Sequence, residues 1–316
     1  KIELGSMNWS LVRIVVVVGC LLNLIAAKTL SYDGSGAWEP VESKESAAEC
    51  KQWTCSPGGL VWRQKNNPLT LYNNITGCDA LVNKGIKKIL FHGDSYMRHI
   101  YAAMLITLNG NYESGSMKPG GNDKCKYHQL FNEKDCNYFN LNHYGMVCDG
   151  RLLLDPLLTG LDKECEKGLG TVSLFSFGNH QLASGRYGIN DPEAYKKFYA
   201  QNNCPELLSH QKQHDGSLGV DKMCSVWWIS THQRVRGYFL DETADKVRNF
   251  NVQMREFFDS GECGNMNYID VFNMTDSLVV QHDAEARKMT WDQVHWSYEV
   301  NLIKAQIIIN ALLSSE

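Results

Sequence analysis

The run Lys87-Lys88-Ile89-Leu90-Phe91-His92-Gly93-Asp94-Ser95-Tyr96-Met97-Arg98 decides the fold of this chain. An apolar stretch leads into Gly-Asp-Ser. Ile100, Tyr101, Met104, Leu105 and Leu108 then recur at helical spacing. The pattern reads as a strand, a tight turn and a helix, with Ser95 at the turn. Open α/β sheets place their ligands at the carboxyl ends of their strands. The N–H groups of a helix N-terminus favour a developing negative charge beside the serine. A serine hydroxyl is a weak nucleophile at neutral pH, so the remainder of the chain has to supply a base.

Outward from this run, strands and helices alternate. Ile86–Phe91 is the first expected strand, Tyr144–Cys148 the second, Thr171–Phe177 the third, Cys224–Ser230 the fourth and Tyr268–Phe272 the fifth. Ala244, Val247, Phe250, Met254 and Phe257 form a helical stripe, and Val300–Leu313 is an apolar helix able to pack firmly on a sheet. Such alternation predicts an α/β domain over residues 81–316, a five-stranded parallel sheet flanked by helices on both faces. The connections at 110–142 and 181–221 exceed ordinary loop length, so they are tied by disulfides, functional, or carry structure of their own. Residues 28–80 contain Trp38, Trp53 and Trp62 and show no sustained period. They read as a loop-rich lead-in stapled to the domain.

The 316 residues are enough for one large domain, with 43% hydrophobic and 21% charged residues as in a folded globular protein. A net charge of −4 with interspersed signs argues against a nucleic-acid partner. Residues 1–10 form a short tail. The apolar segment 11–27 suits a signal anchor or a cleaved signal peptide, and either sends the remainder into the secretory pathway. Cys20 lies in that segment. Cys50, Cys55, Cys78, Cys125, Cys136, Cys148, Cys165, Cys204, Cys224 and Cys263 form an even set suited to disulfides, with buried free thiols as the alternative. No C-x-x-C pair is present to complete a site with the H-x3-H pair His210 and His214, so no structural metal is expected. Asn74-Ile75-Thr76 and Asn273-Met274-Thr275 match the N-glycosylation pattern.

The candidate base for Ser95 lies far along the chain, in Trp291-Asp292-Gln293-Val294-His295-Trp296. An Asp three residues before a His can place both side chains on one side of a turn. Asp292 would then hold the imidazole tautomer while His295 takes the proton from Ser95. Acyl chemistry also needs donors aimed at an oxyanion. The Ser95 backbone N–H is one, and Asn179, which otherwise reads as a turn residue, is a second. A glycine N–H is the third, with Gly150 chosen over Gly145. Gly93, Asp94 and Arg98 support the turn, Asp94 by a local backbone bond and Arg98 by an ion pair or a substrate contact. His92, His180 and His232 sit at predicted strand ends, so each can approach the same mouth. Trp227, Trp228, Trp291 and Trp296 lie near it too, as platforms for sugar rings or as core.

Gly93-Asp94-Ser95, Gly150, Asn179 and Asp292 with His295 together resemble the motif blocks of the SGNH/GDSL hydrolase superfamily, whose fold is a flavodoxin-like three-layer sandwich. G-D-S-x-x-R, the Cys- and Trp-containing lead-in and the N-terminal anchor resemble its PC-esterase branch, which includes the trichome-birefringence-like O-acetyltransferases. Gly178-Asn179-His180-Gln181 departs from the Gly-His-Trp of the plant members. The resemblance implies a serine-dependent carbohydrate O-acetyltransferase with a Ser-His-Asp triad and a covalent acyl-enzyme. A secreted carbohydrate acetylesterase is the alternative, and a catalytically silent glycan-binding protein is an alternative from another class. It further implies a polysaccharide substrate, no bound cofactor, an acyl donor such as an acetylated small molecule or acetyl-CoA, and a Golgi membrane (single-pass type II) or secreted location.

Overall fold

Three short strands and a helix precede the Gly-Asp-Ser run: β1 (Ser31–Tyr32), β2 (Gly36–Pro40), β3 (Leu60–Gln64) and α1 (Asn74–Asn83). Next come β4 (Lys88–Gly93), α2 (Ser95–Asn109), β5 (Asn140–Gly145), β6 (Thr171–Ser176), α3 (Pro192–Asn202), β7 (Cys224–Ile229) and α4 (Ala244–Asp259). The order closes with β8 (Asn267–Ile269), α5 (Phe272–Gln281), α6 (Asp283–Lys288) and α7 (Tyr298–Ser314). The computed structural model describes residues 31–33, 35–41, 59–66, 68–86, 88–93, 95–110, 140–145, 171–176, 192–202, 204, 224–235, 244–263, 266–290 and 293–314.

The main sheet is parallel throughout, with strand order β1-β8-β7-β6-β4-β5. From β4 the chain first adds β5 on one side, then crosses to add β6, β7 and β8 on the other. The order reverses between β4 and β6, and the carboxyl ends at such a reversal diverge to leave a crevice. Ser95 follows β4 directly, so the fold puts it at that crevice.

The sheet has six strands where the sequence predicts five. The extra strand is β1, which pairs with β8 through Ser31 opposite Tyr268 and Tyr32 opposite Ile269. A two-residue strand is too short to show a period, and burial of the Tyr32 ring is what seats it. The second predicted strand is also displaced, from Tyr144–Cys148 to Asn140–Gly145. Its sequence NLNHYG is too polar to stand out as an apolar run. The fifth strand stops at Ile269, because Asp270 accepts from the Phe272 and Asn273 N–H groups and starts α5.

The lead-in is built as well. In the antiparallel β2–β3 pair Trp38 stands opposite Trp62, with ring centroids 5.8 Å apart, and the Trp38 indole donates to the Met274 carbonyl at 2.9 Å. Asn73 caps α1 by accepting from the Ile75 and Thr76 N–H groups, while the Thr76 hydroxyl accepts from the Asn73 N–H.

Side chains alternate across each strand, so neighbouring residues feed two separate cores. Leu174 and Trp227 pack on one side with α2 and α7, while Phe175 and Trp228 pack on the other with Tyr199 of α3 and Phe250, Met254 and Phe257 of α4. A Cys204–Cys263 disulfide ties the chain just after α3 to the turn that ends α4. Cys78 is disulfide-bonded too. No helix among the described residues is long and apolar enough to cross a membrane, and segment 11–27 lies outside them.

Candidate active site

The passage from β4 into α2 is fixed by crowding at Gly93. Gly93 ends β4 opposite Gly145 of β5 and Ser176 of β6. A Cβ on Gly93 would lie 2.4 Å from the Ser176 carbonyl oxygen and 2.7 Å from the Met97 Cβ. Any side chain there would push the strands apart or unseat the first turn of α2, which is the physical reason for glycine in Gly-Asp-Ser. Ser95 opens α2 and is only 8% exposed.

The predicted base meets it. His295 Nε2 lies 2.9 Å from Ser95 Oγ across 200 residues of sequence. When Nε2 accepts the hydroxyl proton, the other imidazole proton sits on Nδ1, the arrangement a general base requires. His295 rides on a tight loop closed by an antiparallel bridge between Thr290 and Trp296 and by the Ser297 N–H donating to the Met289 carbonyl at 2.7 Å. Gln293 makes the turn at φ 66°, a conformation that carries strain for a residue with a side chain.

The loop is clamped to its surroundings by buried polar contacts. The Trp296 indole donates to the Gln233 carbonyl at 2.8 Å. Asn301 of α7 donates through Nδ2 to the Trp296 and Ser297 carbonyls at 2.8 and 3.0 Å. Gln233 belongs to Ser230-Thr231-His232-Gln233-Arg234, a wholly buried polar segment that continues β7. Its backbone groups are held by side chains: Thr231 exchanges two bonds with the Asn251 amide, and the Gln233 N–H donates to the Thr275 hydroxyl. The Ser230 hydroxyl donates to Asp270 and accepts from the Val271 and Phe272 N–H groups.

Aromatic and basic groups line the Ser95–His295 pair. The Tyr96 ring lies 5.2 Å from the His295 ring at a 30° tilt, and His99 lies 5.2 Å from it on another side. His232 meets Tyr96 in a T-shaped contact at 4.0 Å, and the Arg234 guanidinium stands over the Tyr96 ring at 5.1 Å. Lys304 Nζ lies 3.0 Å from His232 Nδ1. Burial, and then the positive field of Lys304, Arg234, His295 and His99, hold His232 well below the ordinary imidazole range. Burial likewise drives the Lys304 amine well below the ordinary lysine range.

The structure therefore brings Ser95, Gly93, Arg98 and His295 to one place, with Arg98 buried on the first turn of α2. Asp94, Gly150, Asn179 and Asp292 lie outside the described residues, as do His180 and Trp291. Gly145, the alternative oxyanion glycine, ends β5 level with Gly93. Trp227, Trp228 and Trp296 are core residues, each no more than 2% exposed, and so are not sugar platforms. Sequence reasoning passes over Tyr96, His99, Arg234 and Lys304. Two signals point to the last two: a polar run directly after an apolar strand, and a single lysine inside the apolar helix of residues 300–313. No cluster of metal-ligating side chains occurs among the described residues.

No protein-family model and no curated protein matches the chain. Among solved structures, an aminotransferase from Anaerococcus prevotii aligns over 99% of this chain and 77% of its own, at 8% identity and a TM-score of 0.29. A likeness that slight has no bearing on fold or chemistry.

Proposed function

We propose that this chain is an SGNH-type acyl-transfer enzyme in which Ser95 is the nucleophile and His295 the general base, acting on O-acetyl esters of a carbohydrate. The observation that carries the reading is the 2.9 Å approach of Ser95 Oγ to His295 Nε2 at the crevice of a parallel sheet. In the first half-reaction His295 removes the Ser95 proton as Oγ attacks the acyl carbonyl. The oxygen of the donor leaves with that proton, and an acetyl group stays on Ser95. In the second, His295 deprotonates a sugar hydroxyl, which takes the acetyl group and frees Ser95. Asp292 orients the imidazole, and the Ser95 N–H, Gly150 and Asn179 hold the oxyanion. The sequence resemblance supports these last roles and the carbohydrate acceptor. With water as acceptor the same steps describe an esterase.

The test is Ser95→Ala. We expect loss of at least about 10⁴-fold in hydrolysis of a model acetyl ester, and of all labelling by a serine-directed fluorophosphonate, with the melting temperature kept. Activity or labelling that survives the substitution refutes the reading. Decay of the acetyl adduct on Ser95, followed by mass spectrometry with and without sugar, separates transferase from esterase.

A further inference from the structure

Lys304 is fully buried in α7, where every neighbour in sequence from Val300 to Ile309 is buried as well. Its hydrogen-bond partners among the described residues are His232 Nδ1 at 3.0 Å and Asn301 Oδ1 at 3.3 Å, and neither carries a negative charge. An ammonium group so placed is expensive, and burial pushes the amine well below the ordinary lysine range. Its N–H bonds have two partners in reach, the Asn301 oxygen and a His232 ring nitrogen. Asn301 presents its oxygen to Lys304 because its Nδ2 is committed to the Trp296 and Ser297 carbonyls. With the amine donating to Nδ1, His232 carries its ring proton on Nε2. That nitrogen has no hydrogen-bond partner among the described residues, and the ring sits at right angles to Tyr96 at 4.0 Å.

A methionine would fill the same space without the desolvation penalty, so packing gives no reason for a lysine here. What the amine does is join three parts of the site. We propose that Lys304 is a positioning residue for the Ser95–His295 pair: through Asn301 it steadies the backbone that follows His295, and through His232 it sets the ring against which Tyr96 packs. Tyr96 in turn lies against the His295 ring and follows Ser95 directly in α2. His99 and Arg234 also face this cluster, and the Lys304 amine is the group within hydrogen-bond distance of His232 Nδ1. The inference rests on the reading of Ser95 and His295 as nucleophile and base.

Lys304→Met and Lys304→Gln test it in the full chain, beside wild type and Ser95→Ala. Fluorophosphonate labelling is measured over a range of probe concentrations, and the His232 imidazole nitrogens are observed by NMR. We expect Lys304→Met to melt at or above the wild-type temperature. Its limiting labelling rate should fall about tenfold with the half-saturating probe concentration unchanged. Wild-type His232 should show the single Nε2–H tautomer, and Lys304→Met should lose it. Lys304→Gln, whose amide can donate, should recover part of the rate and of the signature. A Lys304→Met rate within about twofold of wild type overturns the proposal, as does an Nδ1–H tautomer in wild type. A Lys304→Met protein that fails to fold makes Lys304 a structural residue and also overturns it. If wild type is no better labelled than Ser95→Ala, the acyl-transfer reading fails, while the tautomer still judges the Lys304–His232 geometry by itself.

Discussion

The two halves of the site are held by different forces. The Ser95 turn is set by close packing of main chain: Gly93 is pressed between the Ser176 carbonyl and Met97, and nothing larger fits. The His295 loop is set by discrete polar clamps, with the Trp296 indole on Gln233 and the Asn301 amide on two loop carbonyls. Crowding acts in all directions and resists any shift. A clamp acts along one bond and can be removed singly. Ser95 is thus rigid by construction, and His295 is adjustable one contact at a time.

The largest effect should come from breaking the crowded side. Gly93→Ala forces a contact below van der Waals distance, and we expect about 1–3 kcal/mol of lost stability in urea unfolding. The turn must shift to relieve it, and ester hydrolysis should drop about 100-fold, as displacements near 1 Å do. On the clamped side, Trp296→Phe keeps an aromatic ring but deletes the indole donor and some packing volume, leaving the Gln233 carbonyl buried without that partner. We expect about 1–3 kcal/mol of destabilisation and a loss of activity near tenfold, smaller than for Gly93→Ala. If Trp296→Phe proved as damaging to activity as Gly93→Ala, the contrast between the two halves would be wrong.

The smallest effect is one of pH. His232 is held well below its ordinary value of 6.5 in the fold, so the native state keeps it neutral while the unfolded chain takes up a proton as the pH falls. Its contribution is therefore whole above pH 6.5 and is lost progressively as the pH drops towards the folded value, by at most about 1.4 kcal/mol per pH unit. Denaturation curves between pH 7 and pH 5 should show this slope, and His232→Gln should flatten it. An unchanged slope in that variant would place the proton uptake elsewhere.

What the sequence discloses follows how each element is stabilised. β6 and β7 are covered on both faces, so their residues form apolar runs that mark them without a partner in view. β5 reads NLNHYG and is defined by its hydrogen bonds to β4, which a linear sequence does not display. β1 is two residues, marked by their pairing with β8 and the burial of Tyr32. α5 begins on a local polar contact, Asp270 with the Phe272 N–H, which the periodicity of apolar residues misses. In the site, Gly93, Ser95 and His295 are legible because sterics and proton transfer constrain their residue types at fixed spacing. Lys304 and Arg234 are not, because nothing local distinguishes a buried cation from an exposed one until the tertiary contacts are known.

The 200 residues between Ser95 and His295 bear on the order in which the site comes into being. Contacts of such separation form late, since the intervening sheet has to assemble before closure is rewarded. During synthesis at ~5–20 residues per second, the serine waits roughly 10–40 s before its histidine has even been joined to the chain. β4 can pair with β5 and β6 within that interval, yet Ser95 still lacks its histidine. The pairing thus acts as a timer, and the nascent chain carries Ser95 unpaired with His295 until β7, β8 and α7 have taken their places around it.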